Sequence, residues 1–181
     1  MKAIKEKLIL LLFLAMAPTT SLAIDYKYKK SADFKPLDSF ASTAEFETYY
    51  GKYINDCYAN TYGGTGGIPC AIETEIWDKE LNIQYQKLMA ILHPEAKQLL
   101  LESQRAWLKE RDSTYKLTAK IASLETKDTS GKFREGVGTM NYLIETAMAD
   151  ELAFSVNRDR ALHLKLLATK YKLIIESKEE Q

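Results

Sequence analysis

Few of the 181 side chains have the chemistry of a reaction centre. The nucleophile and base candidates are Cys57, Cys70, His93 and His163. His93 precedes Pro94 at a helix break and His163 stands alone on a late helical stretch, so neither completes a nucleophile–base arrangement. Asp78 and Glu80, with Arg105 and Arg111 further on, are the other catalytic option, since paired carboxylates hydrolyse glycosides. At this spacing on a helix, however, the two carboxylates project from different faces. A metal site needs more ligands than the cysteines supply, and no His lies near them. No strand–loop–lysine phosphate motif or other cofactor pattern occurs. The residues favour recognition over catalysis, with no metal and no cofactor.

The informative polar residues sit among apolar ones. Asp78, Asn82 and Tyr85 follow one another at i, i+4 and i+7 beside Leu81 and Leu88; Gln104, Trp107 and Arg111 do the same further on. Folding the two helices back antiparallel around His93–Pro94 sets Asp78 against Arg111 and Tyr85 against Gln104. The same register sets Leu81 against Leu108 and Leu88 against Leu101. A buried Arg must be paired. This arrangement therefore predicts an Asp78–Arg111 ion pair, with Asn82 and Gln104 meeting the remaining donors and acceptors.

Helices must hold these residues. Ser42-x-x-Glu45 is a capping box, and behind it Phe46, Tyr49, Tyr50, Tyr53 and Ile54 recur at helical spacing to about Asp56. Ile72 to Leu92 gives a second helix and about Glu95 to Ser123 a third, separated by His93–Pro94. The polar, three-glycine stretch from Thr126 to Gly138 reads as a loop, and Thr139 to Ile175 as a last helical region. No stretch alternates as a strand would. The class is all-α, a small helical bundle built on an antiparallel hairpin.

Residues 1–23 read as a secretory signal. Lys2, Lys5 and Lys7 precede an apolar run from Leu8 to Ala17, Pro18 breaks it, and Ser21-Leu22-Ala23 is a signal-peptidase pattern with cleavage after Ala23. That run is too short to span a bilayer. The expected product is periplasmic, with no membrane anchor after cleavage. A hydrophobic content of 46% with 28% charged residues excludes global disorder. Removing the signal takes three Lys and one Glu, leaving 22 basic against 24 acidic residues, a balance unsuited to nucleic acid. Residues 24–41 form a polar, tyrosine-bearing arm, 42–176 the helical domain and 177–181 a charged tail.

In an exported chain Cys57 and Cys70 are expected to form a disulfide, the alternative being two free thiols. The segment between them, Tyr58 to Gly67, holds four glycines in five positions and cannot sustain a helix. It reads as a flexible connector pinned by the bridge, or as a tyrosine-bearing recognition loop.

Cys57 and Cys70, the helix Asp78-Lys79-Glu80-Leu81-Asn82 with Tyr85 and Leu88, and Gln104-Arg105-Ala106-Trp107 with Arg111-Asp112 together resemble the lysozyme inhibitor LprI-type domain. The resemblance runs from about Asp56 to Leu164, with Asn157-Arg158-Asp159-Arg160 standing for the family's terminal arginine segment. Many members carry a second cysteine pair; here Tyr115 and about Ala147 occupy those places. The lipoprotein anchor of the name-giving members is missing, and the tyrosine-rich residues 24–55 lie outside the pattern. The resemblance implies a small periplasmic helical domain that binds and blocks a lysozyme-like hydrolase. Asp78, Asn82, Tyr85, Gln104, Arg105, Trp107, Arg111 and Asp112 are then a structural polar network. The partner contacts fall to the loops, at Tyr58, Tyr62, Lys132, Phe133 and Arg134. The alternative is a non-inhibitory structural or stress-related envelope protein that uses its tyrosine-rich arm for another partner. Oligomeric state is not legible.

Overall fold

The computed structural model describes residues 26–61, 64–136 and 138–179. The signal-like stretch 1–23, Tyr62 and the last two residues of the charged tail lie outside the described residues. Four α-helices are present among them, α1 (Thr43–Asn60), α2 (Glu73–Ile91), α3 (Pro94–Thr126) and α4 (Met140–Glu179), and no strand. Two of the starts, those of α1 and α3, have a local cause. Ser42 Oγ accepts from Glu45 N at 3.2 Å, while the Glu45 carboxylate reaches back to Ala41 N at 3.1 Å. Pro94 opens α3, where its missing N–H costs no helical bond.

The helices α2 and α3 form the hairpin, but α4 is what joins them. It runs parallel to α2 and antiparallel to α3, making the main packing interface with each, while α2 and α3 touch each other at few points. A groove of about 480 Å³ separates them, with Leu81 and Tyr85 on one wall and Leu101, Gln104 and Leu108 on the other. Residues expected to pack directly against one another therefore face across a groove.

Large aromatics attach α1. Phe46 meets Trp77 edge-on with centroids 5.3 Å apart, and the Trp77 indole N–H donates to Tyr50 Oη at 3.0 Å. Trp77, Phe46 and Ile76 are fully buried. The disulfide between Cys57 and Cys70 closes the far end, with Cα atoms 5.7 Å apart.

The stretch expected to be a polar arm is part of the core. Phe34 and Leu37 are 3% and 1% exposed. Three of its backbone N–H groups are satisfied by side chains elsewhere: Lys29 N donates to Tyr53 Oη (2.8 Å), Lys35 N to Tyr49 Oη (3.4 Å) and Leu37 N to Glu80 Oε2 (3.0 Å). The tyrosines of α1 thus hold the arm rather than awaiting a partner.

The glycine-rich segment also departs from expectation. Gly64–Cys70 winds as 3-10 turns and packs against α4. A Cβ on Gly67 would lie 2.9 Å from both Leu143 methyls, so the glycine lets the segment approach α4 closely and any larger residue would make Leu143 shift.

Candidate functional site

The Asp78–Arg111 pair forms, with Arg111 Nη1 3.3 Å from Asp78 Oδ1, but it is not buried: the side chains are 22% and 44% exposed for Arg111 and Asp78. Arg111 also donates to the neighbouring Asp112 at 2.9 Å. Asn82 is exposed and donates to Asp78 Oδ2 at 3.2 Å, one turn back on its own helix. Gln104 takes no part in this pair. It is buried, and its carbonyl accepts from Arg160 Nε of α4 at 3.0 Å. The Arg111 and Arg160 guanidiniums lie 5.5 and 5.8 Å from the Trp107 centroid. Tyr85 is half-buried in the groove wall and Arg105 exposed at its rim. The expected network is therefore two smaller ones: a rim pair between α2 and α3, and an α3–α4 contact through Gln104.

Beside the rim pair lies a second cleft lined by Thr74, Asp78, Lys79, Arg111, Tyr115 and Asn157. Tyr115 lies beside Asn157, and neither the Tyr115 hydroxyl nor Asn157 Oδ1 has a hydrogen-bond partner among the described residues. Burial, and to a lesser extent Asp78, pushes the Tyr115 hydroxyl up to about 12 against the opposing pull of Arg111. Asn157 Nδ2 donates to Thr74 O at 3.1 Å, and Arg158 Nε to Glu47 at 2.6 Å. These residues stitch α4 to α2 and α1.

Described residues of both predicted contact loops pack on the first turn of α4. Gly67 lies against Leu143, and Phe133 packs edge-on to the adjacent Tyr142 with centroids 4.5 Å apart. Residues 127–132 are held by hydrogen bonds and an ion pair. Asp128 accepts from Ser130 N and Lys132 N at 2.8 and 3.0 Å, and Lys127 Nζ is 2.7 Å from Glu145. Lys132 and Arg134 are exposed, whereas Phe133 is half-buried. Tyr58 is half-buried on the last turns of α1, not in the loop that follows it.

Around Tyr58 gathers an acidic group centred on Glu73 and Asp150. Burial, then the charges of Asp150 and Glu73, push the Tyr58 hydroxyl up to about 12. Burial, then Asp150, raises Glu73 as well, with Glu151 and Glu47 adding to it. Asp150 has a structural task too: its carboxylate accepts from Glu73 N (2.8 Å) and Thr74 N (2.9 Å), capping α2 from another helix. The signal for this was the start of α2 itself, where Ile72 offers no capping side chain. Among the described residues no His, Cys, Asp and Glu side chains are grouped to hold a metal ion.

A family model described as "Lysozyme inhibitor LprI" matches residues 53–155, more than half the chain. The match ends before the Asn157–Arg160 segment that was read as part of the resemblance. No curated protein and no solved structure matches the chain.

Proposed function

The chain belongs to the lysozyme inhibitor LprI family, and from that premise we propose that it is exported to the periplasm, where it binds and blocks a lysozyme-like cell-wall hydrolase. The observation that supports a binding surface is the convergence of both long connections on the first turns of α4, next to the Glu73, Asp150 and Glu151 carboxylates. Hydrolases of this kind are positively charged, and an acidic surface accelerates encounter with such a partner. Glu151 is exposed and stands at the centre of this reading. Export agrees with the residues 1–23 and with the Cys57–Cys70 bridge, which persists in oxidising compartments.

The test mixes the purified protein with lysozymes of several types and follows lysis of a cell-wall substrate. Stoichiometric inhibition is expected against at least one type, weakened by salt and by Glu151→Lys. No inhibition of any type would defeat the reading and leave a non-inhibitory envelope role. Hydrolysis by the protein alone would point to an enzyme instead. Export has its own measurement: the first residue of the periplasmic protein should be Ile24.

A further inference from the structure

Arg160 is a charge without a countercharge. It is half-buried between α3 and α4, where Nε donates to Gln104 Oε1 at 3.0 Å and Nη2 to Ser103 Oγ at 3.1 Å. Both acceptors are neutral, and so is the Trp107 ring beside the guanidinium. Arg111 and Arg158, by contrast, each hold a carboxylate of another helix, Asp78 and Glu47. Burial pulls the Arg160 pKa down, with no acid opposing that shift. A guanidinium drawn partly out of water needs an anion.

This arginine stands at one end of an apolar cleft. Leu88, Leu92, Leu99, Leu100 and Leu167 form most of the wall, and Tyr171, edge-on to His93 with centroids 6.4 Å apart, stands at the far end. Leu88 and Leu100 are buried, whereas Leu99 and Leu167 are 61% and 40% exposed and form the lips. The titratable lining groups are Arg160, His163 and Tyr171, so the cleft presents no acid. From Arg160 to Tyr171 it follows about three turns of α4, roughly 16 Å. Spread over that length, its volume of about 290 Å³ is one acyl chain wide. Apolar walls with one oriented polar group are the usual make-up of a small-molecule site.

Charge and width together select the occupant. A neutral hydrocarbon leaves Arg160 unpaired, a cationic amphiphile is repelled by it, and a two-chain phospholipid is too wide. Nη1 of Arg160 has no acceptor among the described residues, and with Nη2 it offers the planar fork that a carboxylate fits. We propose that this cleft binds a free fatty acid, its carboxylate on Arg160 and its chain laid between Leu99 and Leu167 over Leu88 and Leu100 towards Tyr171. The cleft lies along α4 away from the acidic surface at the start of that helix, so the proposal does not rest on hydrolase inhibition.

The experiment titrates the purified protein with decanoate, below its micelle concentration, in a calorimeter. Saturable binding of one decanoate per chain is expected, with none for acetate and with decanol weaker by roughly tenfold or more. Arg160→Gln should bring decanoate down to the decanol level and leave decanol unchanged. Because Arg160 also ties α3 to α4, a second variant acts from an exposed position. Leu99→Glu sets a carboxylate in the cleft one turn before Ser103, and should abolish decanoate binding with the circular dichroism of wild type. No saturable binding of decanoate, decanol binding as tightly as decanoate, or unchanged decanoate affinity in either folded variant overturns the proposal. A dimer in sedimentation equilibrium that Leu99→Glu abolishes and decanoate leaves intact overturns it too, assigning the cleft to a second copy.

Discussion

Asp150 is the residue whose replacement most directly tests how this fold is held. It lies on α4, yet its two carboxylate oxygens accept the first free N–H groups of α2, from Glu73 and Thr74, at 2.8 and 2.9 Å. Its backbone carbonyl also accepts from Thr74 Oγ1 at 3.2 Å. Asp150→Ala removes both side-chain acceptors from a half-buried helix start. Loss of a cap costs about 1 kcal/mol and as much as ~2, and loss of a carboxylate at the positive end of the helix dipole adds about 0.3–1 kcal/mol. A deficit of about 2–3 kcal/mol follows, or roughly 5–10 °C in Tm for a domain of this size. Asp150→Asn keeps one acceptor and relieves the repulsion felt by Glu73, so it should lose only about 1 kcal/mol. Urea unfolding followed by far-ultraviolet circular dichroism measures both, the midpoint moving at constant m. If alanine costs less than about 0.5 kcal/mol, or as little as asparagine, the cap is not what positions α2.

Four further outcomes follow from the geometry. A double-mutant cycle on Asp78 and Arg111 should give a coupling of about 0.2–1 kcal/mol, the value of an exposed pair; several kcal/mol would mean the pair is buried in solution. Replacing Cys57 and Cys70 by Ser should cost about 3 kcal/mol in chemical denaturation, as a loop of this length implies. Gly67→Ala should destabilise by about 1 kcal/mol, because the added methyl displaces Leu143; thermal melts that match wild type would show the segment is not docked. Glu80 is buried and burial raises its pKa, against the opposing pull of the Leu37 N–H and Lys79. Its contribution is therefore complete below the ordinary carboxylate value near 4.5 and is lost as pH rises through the raised one. Stability measured across that range should fall less with pH in Glu80→Gln than in wild type.

The periodicities located the helices because they are local properties. Apolar spacing, the Ser42–Glu45 cap and the His93–Pro94 break act within a few residues of one another. The Asp78–Arg111 register was also legible, since an antiparallel hairpin pivoting on a fixed turn leaves one alignment that matches charge with charge. The extent of burial was not. Whether Arg111 lies inside or at a rim depends on what fills the space between α2 and α3, and that is α4, far along the chain. The tyrosine-rich arm misled for the same reason: Phe34 and Leu37 show no period of their own and become core only where Tyr49, Tyr53 and Glu80 accept the N–H groups of Lys35, Lys29 and Leu37.

By itself the sequence determined the all-helical class, the places of the helices along the chain and the motifs that carry the family resemblance. Only the tertiary structure decided that α4 is the common partner of α2 and α3, that Gly67 is pressed against Leu143, and that the two long loops converge. It also revealed that Asp150 caps a helix to which it does not belong and that Arg160 meets no carboxylate beside an apolar cleft. Periodicity records which face of an element is apolar; which face another element covers is set by contacts between residues distant in the chain, and those exist only once it has folded.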